Sequence, residues 1–121
     1  MKFHTVTIGD KDVNFRLTSS DCETIEDKSK MPILDFMTNV SMTNCVTLLM
    51  YMRRSEIPNF SKKDANALFD ELADNDFALE KIYTDIVFPT GVVSGLLTQA
   101  DLTKALMKVE EAEKEQATEK D

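Results

Sequence analysis

The chain has 121 residues, 42% of them hydrophobic and 30% charged, with a formal net charge of −8. That length suits one domain able to bury a core without disulfides or metal, and the acidic balance repels phosphate, which argues against nucleic-acid binding. No run approaches the roughly 20 apolar residues of a membrane span, and the opening MKFHTVTIGD has no signal-like apolar core, so a cytoplasmic protein is expected.

Residues 2–17 alternate in polarity on either side of Gly9-Asp10-Lys11-Asp12. Period-two alternation around a Gly-Asp turn predicts a β-hairpin. A two- or four-residue loop puts Val6, Ile8, Val13, Phe15 and Leu17 on one face, which should pack on helices. Phe3, Thr5, Thr7, Asn14 and Arg16 lie opposite. Such a hairpin is marginal alone and must lean on a core or pair its edge with another chain.

A short helix over about 20–29 follows, capped by Ser20 with Glu23, or by Ser19. Lys30-Met31-Pro32 breaks it. The next helix, about 32–40, places Ile33, Leu34, Met37 and Val40 at helical spacing with Phe36 on a flank. Then comes Met42 to Arg54, in which seven of the eight residues from Cys45 to Met52 are apolar. A helix apolar on nearly every side belongs inside, so this segment is expected to be the central rod of the fold. Ser41 or Thr43 caps it, and Arg53 and Arg54 suit its negative end.

Ser61-Lys62-Lys63-Asp64 forms a capping box for a helix over about 62–74, whose face is Ala65, Leu68, Phe69, Leu72 and Ala73. The next helix starts at Asn75 or Asp76, buries Leu79, Ile82, Tyr83, Ile86 and Val87, and ends at Pro89. Pro89 to Leu97 holds two of the three glycines and four large aliphatics. It is either a loop that tucks its side chains onto the core or an adaptable partner-binding surface of Val92, Val93, Leu96 and Leu97. Thr98 and Asp101 cap a last helix with Leu102, Ala105, Leu106 and Val109 on one stripe. Residues 110–121 carry six carboxylates against two lysines, half the net charge. They read as a disordered, solvating tail beyond a single domain over 1–109. The fold class is therefore α+β and mostly α-helical: an N-terminal hairpin on a bundle of five or six short helices.

Catalytic chemistry is not in view. One histidine, His4, cannot build a Ser-His-Asp set with confidence, and no glycine-rich phosphate loop or metal-ligand spacing is present. Asp70, Glu71, Asp74 and Asp76 read as a solvated face. Cys22 and Cys45 read as buried free thiols. No cofactor and no metal are expected. Five of the seven methionines (Met31, Met37, Met42, Met50, Met52) crowd the middle third. They either fill core gaps or line a groove for a partner's apolar helices.

The order of a hairpin over Phe3–Leu17, Leu17-Thr18-Ser19, a helix with Ile25-Glu26, then Ile33-Leu34-Asp35-Phe36-Met37, further helices and an acidic end resembles the small tail assembly chaperones of phages and prophages of Gram-positive bacteria. The likeness covers roughly residues 2–88 and rests on hydrophobic positions. It departs at Ser29-Lys30-Met31-Pro32, where a glycine would close the first helix. The resemblance implies a chaperone that coats the long tape measure protein, keeps it soluble and helps recruit tail tube subunits. Self-association through the hairpin edge or Val92–Leu97 is a further expectation. The alternative is a small acidic adaptor or inhibitor. Truncation after Val109 separates the two, because a charge mimic loses its partner and hydrophobic contacts survive.

Overall fold

The computed structural model describes residues 2–107 and Glu111. Strands β1 (His4–Ile8) and β2 (Lys11–Phe15) pair antiparallel, with Ile8 opposite Lys11 and Val6 opposite Val13. The loop is thus Gly9-Asp10, and Gly9 takes a φ of 66°, which a two-residue hairpin loop asks of its first residue. Strand parity holds as read: Val6, Ile8, Val13, Phe15 and Leu17 are all buried. On the outer face Thr5 Oγ1 donates to Asn14 Oδ1 at 2.6 Å and Thr7 Oγ1 to Asp12 Oδ1 at 2.7 Å.

The first helix, α1 (Ser19–Ser29), is capped by Thr18 and Asp21, not by Ser20 and Glu23. Of the hydroxyls in Thr18-Ser19-Ser20, the one three residues before a short carboxylate closes the reciprocal box. The helix ends on Lys30, held left-handed at φ 59° with its N–H donating to Glu26 O. A lysine stands where a helix closure favours glycine, and left-handed backbone costs an L-residue about 1–2 kcal/mol. Lys30→Gly is therefore expected to raise the unfolding free energy by about 1 kcal/mol, read from the urea midpoint; a midpoint that falls contradicts the strain.

A short helix, α2 (Ile33–Thr38), buries Phe36 and Met37 and leaves Leu34 exposed. Phe36 is thus a core residue rather than a flank, and Leu34 is not part of the buried stripe. Next, α3 (Met42–Arg53) is the expected central rod. Ser41 caps it through Asn44 N, and Cys45, Val46, Leu48, Leu49, Tyr51 and Met52 are buried. Of these, Val46, Leu48, Leu49 and Met52 contribute roughly 1.5–3 kcal/mol each by leaving water. Against it packs α4 (Lys62–Asp74), with the Ser61–Asp64 box in place and Ala65, Leu68 and Leu72 buried.

The following helix starts later than Asn75 or Asp76. Asp76 is left-handed at φ 67°, and α5 (Leu79–Ile82) begins after Ala78. It runs directly into a π-helical stretch, Tyr83–Val87, and then α6 (Phe88–Val93), so Pro89 does not end the helix. The physical reason is a slip in the hydrogen-bond ladder. Phe88 N–H donates to Tyr83 O, five residues back, and this widened turn precedes the proline. Proline lacks the N–H that would reach Asp85 O. His4 Nε2–H takes that carbonyl instead, at 2.7 Å, from β1. A further helix, α7 (99–107), carries the expected Thr98–Asp101 box, with both reciprocal bonds at 3.1 Å, and Ala105 is buried. Val109 and the acidic segment 110–121, Glu111 apart, lie outside the described residues. The architecture is α+β and mostly helical. No helix among the described residues is long and apolar enough to cross a membrane.

Candidate partner-binding surface

The segment singled out for stickiness is half helix. Val92 and Val93 close α6 and are half-buried. Gly95 turns the chain at φ 82°, and the Leu96 and Leu97 amides both donate to Gly91 O, at 2.8 and 3.2 Å. This folds Leu97 back onto Gly91. A Cβ on Gly91 would stand 2.8 Å from both Leu97 Cδ1 and Met37 Cε, so only glycine admits the two side chains so closely. Leu97 is 8% exposed and belongs to the core, while Val92 and Leu96 pack against it from the side. The four residues therefore form no continuous open patch.

Open space lies instead on either side of α2. One cleft, about 340 Å³, is walled by α1, α2 and α3, with Ile25, Phe36 and Tyr51 at its floor and Met50 beside them. Thr43, Thr47 and Met50 fall at i, i+4 and i+7, so they share one face of α3, the face that lines this cleft. Lys28 stands at the mouth, its Nζ donating to Tyr51 OH at 3.3 Å. The other cleft, about 190 Å³, lies between α2 and α7. It is lined by Leu34, Leu97 and Ala105, with Asp35, Asp101 and Lys104 around them. Leu97 is thus the one residue of the expected four that reaches either cleft. Leu34, 41% exposed, and Met42, 47% exposed, are large apolar side chains left to solvent. The methionines divide: Met37 and Met52 are sealed in the core, and Met50 lines the first cleft.

The sequence pointed away from this cleft because Ile25 and Tyr51 look like ordinary core positions and Phe36 falls on a flank of its helix. The available signal was Thr47, the one polar residue in the apolar run, with Thr43 a turn before it. Two small polar groups in line on a buried helix mark a side that meets water.

Ionisable groups serve the fold. Asp64 and Asp101 have lowered pKa values because the backbone amides and hydroxyls of Ser61 and Thr98 bond their carboxylates. Among the described residues no three His, Cys, Asp or Glu side chains are grouped to hold a metal. Both thiols are free and buried. Burial pushes Cys45 up to about 12, and burial followed by the Asp21 and Glu26 charges pushes Cys22 up to about 11. Burial also raises Tyr83, whose hydroxyl lies 3.4 Å from both Ser41 N and Ser41 O. The fold thus favours the protonated forms. Their contribution is complete below the ordinary thiol value of 9.0 and is lost as pH climbs through about 11 to about 12. The denaturant midpoint is expected to fall steadily above pH 9.0. At neutral pH an aromatic disulfide reagent should find no thiol in the folded protein and both after denaturation. Rapid reaction of the native protein contradicts the burial.

No family model, curated protein or solved structure matches the chain.

Proposed function

We propose that this chain is a binding protein without catalytic activity: a tail assembly chaperone of the kind carried by phages and prophages of Gram-positive bacteria, working in the host cytoplasm. Its client is the tape measure protein, and it helps bring tail tube subunits to that client. The observation that carries the reading is the pair of clefts flanking α2, of which the larger has the apolar floor Ile25, Phe36 and Tyr51. Each is sized for one or two aliphatic side chains, a weak site by itself. A long helical client presents such side chains turn after turn, so many copies bound along it sum to firm coverage and still leave one by one. The acidic charge of −8 keeps a coated client dispersed. The order of hairpin, helices and acidic end seen in the tail chaperones supports the same reading.

The test is co-expression with a phage tape measure protein. Expected is a soluble complex that sediments with the client and contains several copies of this chain. A client that aggregates equally with and without this chain overturns the reading.

A further inference from the structure

Four features of α2 point the same way. It has six residues, too few to be stable as an isolated helix. Neither Pro32 at its start nor Asn39 at its end caps it with a side chain. It is entered through Lys30 in a left-handed conformation that glycine tolerates better. Unfilled space lies along both of its flanks. Two side-chain latches hold its ends to neighbouring helices: Glu26 Oε2 accepts from Ile33 N at 2.8 Å, and Asn44 Nδ2 donates to Asn39 O at 3.0 Å. Its inward residues, Phe36 and Met37, are the apolar pair that would be uncovered if it lifted.

We propose that α2 is a strap that swings off the α1–α3 cleft to admit an amphipathic helix bearing lysine or arginine on its polar face. This rests on the chaperone reading and names the surface it uses. The closed cleft has room for one or two side chains. Lifting α2 merges the two clefts into one groove lined by Ile25, Tyr51 and Leu97, with room for successive turns of a helix, and leaves Phe36 and Met37 on the raised strap to pack on the occupant. The charge of the occupant follows from the borders. Glu23, Asp27, Asp35 and Asp101 line the clefts and the adjoining face of α1, against Lys28 and Lys104. A basic polar face meets that excess, whereas an acidic one is repelled. Closure in the free protein keeps Phe36 and Met37 out of water, and binding is weakened by the fraction of molecules that are shut.

The experiment combines hydrogen exchange on the full chain with titration of a leucine–lysine amphipathic peptide, observed at the Ile25 and Met50 methyl groups by NMR. In the unmodified protein the Phe36 and Asn39 amides, bonded to Pro32 O and Asp35 O, are expected to exchange far faster than those of α3. Glu26→Ala, which removes one latch, should raise that exchange about tenfold and tighten the peptide by the same factor, since a bond to a charged group is lost only in the closed form. A leucine–glutamate peptide of the same pattern should not bind. The proposal is overturned if α2 exchanges as slowly as α3, if Glu26→Ala speeds exchange without tightening the peptide, or if the acidic peptide binds equally well. If the tape measure protein stays soluble while α2 remains shut, the strap is wrong and the chaperone reading stands. If α2 opens and takes the peptide but the client still aggregates, the strap stands without that client.

Discussion

Replacing Arg53 with alanine is expected to lower the unfolding free energy by about 3 kcal/mol. The guanidinium lies where the last turn of α3 meets β2 and the loop before α4. Its Nη1 donates to Asn14 O at 2.6 Å and lies 3.5 Å from Glu56 Oε1. Its carbon is 6.0 Å from the Phe15 ring centre and 5.9 Å from that of Phe60. The side chain is only 12% exposed, so these contacts act away from bulk water. A charge-assisted bond to a carbonyl contributes about 1.5–3 kcal/mol and each ring contact about 0.5–1 kcal/mol. Lysine at this position should recover little, because a point ammonium cannot lie flat against aromatic faces while reaching the strand. The check is the urea midpoint at constant slope. A loss below about 1 kcal/mol for Arg53→Ala would show that the hairpin is held by its apolar face alone.

Leu49→Ala should cost a similar amount, about 3 kcal/mol within a usual span of 2–5 kcal/mol. Leu49 sits in α3 with no exposed surface, and Leu48 and Met52 of the same helix are equally sealed. Helix α3 packs against α4, β2, α2 and α5, so the lost methyl groups are expected to leave a cavity. Met42→Ala at the exposed start of the same helix should change stability by less than about 0.5 kcal/mol. With total stabilities of about 5–15 kcal/mol for such domains, the first variant should melt well below the parent and the second with it. Equal melting of both would deny α3 its place at the centre.

Features written in local patterns were legible before any coordinates. Strand parity, the burial of α3, the span of α4 and the boxes at Ser61 and Thr98 all depend on residues within a turn or two of each other. The misreadings share a different cause. Pro89 is a breaker by local rule, yet the helix passes through it because the ladder slips at Tyr83–Val87 and His4, distant in sequence, satisfies the carbonyl left over. In α2 the apolar residues Ile33, Leu34, Phe36 and Met37 are too crowded to show a period, and tertiary neighbours decide that Phe36 goes in and Leu34 out. Of the two readings open for Leu97, the tucked one holds, and the close approach to Gly91 that goes with it could not be read from local pattern. The clefts were hardest to foresee, since a cleft is made by what a helix face lacks.

The hairpin's anchor points set an order of events during synthesis. Arg16 N donates to Met52 O at 3.1 Å, Leu17 N to Ser94 Oγ at 3.0 Å, and His4 to Asp85 O. The hairpin is thus synthesised before the residues that form its seat. While the ribosome is still at work, both strands wait with Ile8 and Phe15 in water. A nascent chain paused before Ser94 should expose this greasy ribbon to factors that hold apolar strands, and synthesis through Ser94 should reduce that exposure.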